Sequence, residues 1–293
     1  MIIVLFTFIF GLFAGSFFGV VVSRLHNNEK GILTGRSHCD NCNYTLTALD
    51  LVPVFSWLFL GGKCRKCKKK VSYLHPLTEL LTGLLFGLVA LLTPIDILNS
   101  STAEWLFFLW RLFIVAVFWL LTLSDLRYME VPDEVSLPSI GILAVTSIVI
   151  TLFFPSFPAP HIIDALIGAS IPLAFFGLQI TIGYLMDRDI IGGGDLRIGA
   201  LMGIILGWKV VIVALFLSYI IGALVSLPLM VLNKMSKDRK ASESKSKNAE
   251  SDENNHGTMI AFGPFLALAT VICLFWGNQL LQYWMDFTGL SGL

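Results

Sequence analysis

Two aspartates and four cysteines are the residues whose types and spacing suit chemistry in this chain. Asp125 stands in "LLTLSDLRYMEVPDEV" and Asp195 in "IIGGGDLRIGA", each as Asp-Leu-Arg where an apolar run meets polar sequence. An ionisable group at membrane depth is costly, so such a position marks a functional candidate. Two carboxylates brought together in a poorly solvated site cannot both ionise easily, and the pair then shares a proton. The ionised member can take a proton from a water as that water attacks a peptide carbonyl. The protonated member can stabilise the oxyanion and protonate the leaving amine. Gly192, Gly193 and Gly194 suit that use, because a backbone without side chains admits a substrate strand and permits a hinge. The structural alternative is that an acidic residue at a helix start simply complements the macrodipole. Asp133, Asp187, Asp189 and Glu130 rank lower, since they lie in more polar sequence.

The cysteines form C-x2-C, 21 intervening residues, then C-x2-C: Cys39, Cys42, Cys64 and Cys67. Two thiolate pairs on tight turns can converge into a tetrahedral four-sulfur site, which suits zinc. Such a site is closed, so the metal would hold the loop and not activate water. Redox chemistry is the functional alternative. His38 is adjacent but superfluous as a ligand, and the isolated Cys273 reads as packing. The chain carries no H-E-x-x-H pattern, which argues against a zinc-dependent protease.

These residues sit among long apolar blocks. Hydrophobic residues make up 56% of the chain, charged residues 14%, and the mean hydropathy is +0.79. A soluble domain carries about 25% charged residues. A block of about 20 apolar residues can cross a bilayer as a helix. The pattern predicts an all-α polytopic membrane protein of about eight transmembrane helices with a small cytoplasmic zinc-binding loop domain. The expected spans are 2–22, 77–94, 105–124, 137–154, 162–185, 198–207, 210–232 and 259–280, the sixth being short enough to be tilted, broken or re-entrant. Pro132 and Pro138 read as helix-boundary residues.

Eighteen of the twenty lysines and arginines fall in alternating loops, which places those loops in the cytoplasm and both termini outside. The expected organisation is a first helix (1–22), the four-cysteine loop domain (23–76), a membrane core (77–232), a polar and disordered loop (233–258), and a last helix with a tail (259–293). The Lys68–Lys70 run is an inside-facing cluster able to touch anionic lipid head groups. Net charge is zero, and nothing suggests a nucleic-acid partner. A proton- or cation-coupled transporter is the competing class. It is disfavoured because the aspartates sit near span ends and no internal repeat is evident. A non-catalytic scaffold that docks through the cysteine loop is a third reading.

Taken in order, the motifs resemble those of type IV prepilin peptidases: "FGLFAGSFFGVVVSRL", "CDNC", "VPVFSWLFLGGKC", "CRKC", "YLHPLTELLTGLLF", "SDLRYMEVPDEV", "GGGDLR" and "AFGPFLALA". The resemblance covers nearly the whole chain and departs at Gly19, where the family usually has Asn. It implies an intramembrane aspartic protease of the GxGD type in the bacterial inner membrane, with Asp125 and Asp195 as its catalytic pair facing the cytoplasm. It further implies prepilin or pseudopilin substrates, cleaved after a glycine that ends a short basic leader. Methylation of the new amino terminus, commonly phenylalanine, by S-adenosylmethionine would follow. Candidates for that second step are Glu79, Gly15, Ser16 and Arg24. Glu79 reads equally well as a buried carboxylate paired with a nearby base.

Overall fold

The computed structural model describes residues 1–29, 35–39, 41–188, 191–244 and 261–288. Among these the structure is helical, with only two isolated bridges, His38 to Thr45 and Lys63 to Lys70. The helices are α1 (Ile2–His26), α2 (Phe55–Phe59), α3 (Leu74–Leu92), α4 (Thr102–Tyr128), α5 (Asp133–Phe153), α6 (Ile162–Leu185), α7 (Gly193–Ser244) and α8 (Gly263–Thr288), with a short 3-10 turn at Ala48–Leu51. Seven of the described helices are long and apolar enough to cross a membrane.

The sixth and seventh expected spans lie on the two limbs of α7. They are parted at Gly207, where φ is 70° and ψ is 172°. Only glycine adopts that conformation without strain. α7 continues through 233–244, the first part of the stretch expected to be unstructured; 245–258 lie outside the described residues. Pro132 caps α5 as a boundary residue should, whereas Pro138 lies inside that helix.

Contacts divide the chain into two compact units, Met1–Ala159 and Pro160–Leu293. In the first, α1 packs along α3 through glycines. A Cβ at Gly11 would lie 2.8 Å from the Gly83 Cα, and one at Gly15 would lie 2.7 Å from Thr82 Oγ1. Lipid tails are as apolar as leucine, so close backbone approach replaces the hydrophobic effect as the force between membrane helices. α4 joins this pair where Leu120 packs on Val21 and Val22, and where Trp119 Nε1 donates to Thr82 Oγ1 at 2.7 Å. Ser101 caps α4 in a reciprocal pair with Glu104.

The second unit repeats the device. Gly199, Gly203 and Gly207, four apart on the first limb of α7, face Pro172, Phe176 and Gly168 of α6. A Cβ at Gly203 would run into the Gly168 backbone, and one at Gly199 would lie 2.8 Å from the Phe176 ring. α8 closes on the second limb, with Phe262 and Phe265 against Gly222 and Gly277 against Val210.

Candidate active site

Asp125 occupies the last turn of α4 and is 6% exposed. The turn is closed by Met129, a left-handed residue (φ 55°), whose N–H bonds the Asp125 carbonyl at 2.9 Å. Side chains from α1 fasten the same turn. The His26 ring stacks on Tyr128 with centroids 3.7 Å apart, and its Nδ1 lies 3.1 Å from Glu130 Oε2. The Arg127 guanidinium lies over the Tyr128 ring at 5.5 Å.

Asp195 is the third residue of α7, half-buried, and its N–H bonds the Gly192 carbonyl at 3.2 Å. A Cβ at Gly193 would meet nothing within 4 Å, and one at Gly192 would meet only the Gly194 nitrogen at 4.0 Å. Crowding within the chain therefore does not dictate glycine at either position. Further along α7, the Tyr219 hydroxyl accepts from Gln179 Nε2 at 3.3 Å. The Tyr219 ring packs between Phe175 and Phe262, at centroid distances of 5.8 and 4.9 Å. Asp189, one of the lesser candidates, lies outside the described residues.

The four cysteine sulfurs lie within 4.8 Å of one another. The Cys39–Cys67 separation is 3.9 Å. A tetrahedral zinc with Zn–S bonds of ~2.3 Å requires about 3.8 Å, so the cluster could hold such an ion. Two equivalent turns build it. In one, Cys39 N–H bonds Tyr44 O and Asn43 N–H bonds Cys39 O; in the other, Cys64 N–H bonds Lys69 O and Lys68 N–H bonds Cys64 O. Asn43 and Lys68 are the left-handed residues, at φ 51° and 59°. Backbone N–H groups of Cys67 and Lys66 draw the Cys64 thiol down to about 7, against the effect of burial. The Tyr44 N–H favours the Cys42 thiolate, but burial and the three neighbouring sulfurs outweigh it and push that thiol up to about 11. Thiols must lose their protons to bind a metal, so metal binding would release protons.

Comparison with known proteins settles the family. Residues 9–93 match the model of the bacterial peptidase A24 N-terminal domain, and residues 112–227 match the type IV leader peptidase family. The chain belongs to the type IV leader peptidases. A prepilin leader peptidase/N-methyltransferase of Aeromonas salmonicida is 31% identical, over 95% of this chain and 92% of the relative. Proteins of the same description from Pseudomonas aeruginosa (29%, covering 98% and 95%) and Bacillus subtilis (26%, covering 95% and 96%) are also similar. No solved structure matches.

For a leader peptidase, the placement of the remaining candidates is informative. Glu79 is buried on α3, its Oε2 accepting the Val54 N–H at 2.7 Å and its carboxylate also bonded to Ser16. Its Cα would lie 2.8 Å from a Cβ at Gly15. Gly15, Ser16 and Glu79 therefore meet. Among the described residues Glu79 bonds a backbone amide and a hydroxyl, where one of the two readings of its sequence had a basic partner. Arg24 lies further along α1, donating to the Arg36 carbonyl at 3.3 Å, with Glu29 3.9 Å away. Gly19, where the resemblance led to an expectation of Asn, is not crowded: a Cβ there would meet only Thr78 Oγ1, at 4.0 Å. Sequence reasoning missed His26, Tyr219 and Gln179. An aromatic ring or amide on an apolar helix carries no local signal, and each becomes notable only through contacts distant in sequence.

Proposed function

We propose that the chain cleaves the leader peptide of prepilins or pseudopilins at the cytoplasmic face of the bacterial inner membrane, and then methylates the new amino terminus. The observation that carries this reading is the similarity to prepilin leader peptidase/N-methyltransferases over nearly the full length of both chains. Asp125 and Asp195 are proposed as the catalytic pair, and the leader-peptidase match spans both. One carboxylate takes the proton of a water as it attacks the scissile carbonyl. The other, protonated, hydrogen-bonds the developing oxyanion and then gives its proton to the departing amine. No covalent intermediate is needed.

Cys39, Cys42, Cys64 and Cys67 would hold a structural zinc, which supplies loop stability and takes no part in hydrolysis. S-adenosylmethionine would supply an electrophilic methyl group for the second step. Gly15, Ser16, Glu79 and Arg24 are proposed to serve that step, with the Glu79 carboxylate receiving the proton that the amine loses as the methyl group transfers from sulfur to nitrogen.

Mass spectrometry of a co-expressed prepilin's amino terminus tests both activities together. The wild-type chain should yield a product that is cleaved after glycine and is one methyl group heavier. Glu79→Gln should yield cleaved product with methylation reduced at least about tenfold. A fully methylated product from that variant would remove Glu79 from the second step.

A further inference from the structure

The short helix α2 presents an unusual face. Phe55, Leu58 and Phe59, at positions i, i+3 and i+4, are 54%, 58% and 87% exposed, and Leu49 on the preceding 3-10 turn is 71% exposed. Trp57 points the other way. Its Nε1 donates to the Val71 carbonyl at 3.2 Å, and its ring lies where a Cβ of Gly62 would fall, 2.8 Å away. A helix that leaves its tryptophan half-buried against Gly62 and exposes two phenylalanines and a leucine has its apolar stripe turned outward.

The position of α2 along the membrane helices identifies what meets that stripe. The Val54 N–H, at the entrance to α2, is held by Glu79, and Glu79 lies against Gly15 of α1. Gly15 stands 11 residues before His26, the end of α1. At about 1.5 Å per residue, the Gly15–Glu79 contact lies about 16 Å short of that end, and α2 begins within reach of the Glu79 side chain from that level. α1 has 25 residues, about 38 Å of helix, against a hydrocarbon core of about 30 Å. The entrance to α2 is thus level with the acyl chains of the nearer leaflet. Satisfaction of its amide by a carboxylate accords with that depth, where water is scarce. Val54 itself has φ 63°, a rare conformation for a β-branched residue, and it turns the chain sharply into the helix. Just beyond α2, the second cysteine turn exposes Lys63, Arg65, Lys66, Lys68, Lys69 and Lys70. An apolar stripe with a cationic rim is the pattern of an interfacial anchor.

We propose that the exposed apolar face of the segment 49–59 is embedded in the leaflet, with Asp50 and Arg65 on its polar side. Leu49, Phe55, Leu58 and Phe59 lie among acyl chains, and the cations of the Cys64–Cys67 turn lie on anionic phospholipid head groups. The four-cysteine loop is then seated on the bilayer and not suspended in solvent. This inference rests on the membrane-spanning helices and does not depend on the catalytic reading.

Photo-cross-linking tests it. Benzoylphenylalanine is placed at Phe59, and in a second chain at Leu58 in case one substitution unfolds the loop. The full-length protein is reconstituted in vesicles of phosphatidylethanolamine and phosphatidylglycerol, irradiated, and weighed by intact mass spectrometry. Zinc content and prepilin cleavage are recorded separately for each chain. The expected product at both positions carries one phospholipid, with phosphatidylglycerol enriched about fivefold over its share of the mixture. Cross-links to a second copy of the chain or to an added prepilin, or no cross-link at either position, overturn the proposal. Lipid adducts without phosphatidylglycerol enrichment overturn the head-group half.

Discussion

The two helix ends that bear Asp125 and Asp195 are built in opposite ways. Asp125 ends a helix, is buried, and sits on a turn fastened by a left-handed Met129 and by the His26–Tyr128–Glu130 contacts. Asp195 begins a helix, is half-exposed, and follows glycines whose surroundings are open. Burial and cross-helix contacts raise the cost of moving the first, whereas the second follows glycines that no neighbouring side chain crowds. In the proposed pairing, the buried carboxylate would serve as the reference point for the water and the more exposed one would yield to the incoming peptide.

The sharpest way to break this comparison is to remove each charge without changing side-chain size. Asp125→Asn and Asp195→Asn should each lower prepilin cleavage about 10³-fold, measured by single-turnover kinetics. Retained activity in either variant would leave the other aspartate without its partner. The next effect tests compliance. Gly193 is the first residue of α7, a position where proline is well tolerated in a helix. Gly193→Pro should therefore keep the thermal midpoint while lowering kcat about tenfold by restricting approach of Asp195. An unchanged kcat would show that the run is not a hinge. At the fixed end, Met129→Gly should relieve the left-handed residue and add about 1 kcal/mol of stability in a denaturant titration, with cleavage unchanged. A matching loss of activity would place mobility at the wrong end.

The smallest effect belongs to the cysteine loop, a reference region remote in sequence from both ends. Asp50, with a side chain 3% exposed, caps the 3-10 turn and pairs with Arg65 at 2.7 Å. Burial alone would raise its pKa. The Arg65 hydrogen bond and the Thr47 hydroxyl and N–H overcome that effect and hold the carboxyl below its ordinary value of 3.8. Its stabilisation is therefore present above that ordinary value and is lost as pH falls through the lower, folded one. Amide hydrogen exchange in the turn should follow this course in the wild type. In Asp50→Asn it should be fast already at neutral pH, with no further acid-driven rise from this group. An identical acid profile in both would discount the pair.

How much of this was legible in the sequence depended on range. The spans follow from unbroken apolar blocks, and the sulfur cluster from a spacing that only convergence explains. The glycines of α1 stand in the sequence too, but that Gly15 packs against Thr82 and Glu79 of α3 shows only in the fold. The pattern at Gly199, Gly203 and Gly207 passed unnoticed, because single glycines in apolar sequence do not reveal which helix lies opposite. The Gly207 break belongs here as well: its conformation is a backbone property that residue type permits but does not announce. The Glu79–Val54 bond joins residues 25 apart across a loop. α2 is only five residues long, too short for its stripe to stand out by period. The local repeat of two cysteine turns emerged only when Asn43 and Lys68 proved to share a conformation.

The backbone contact between Gly168 and Gly203 carries a consequence for heredity. One added methyl at either position would collide with main chain that has nowhere to retreat. A genetic screen for lost pilin maturation should therefore collect alleles in the middle of these two spans as readily as at the aspartates. They would be told apart by abundance, since the former leave little assembled protein and the latter leave a full complement of inert enzyme.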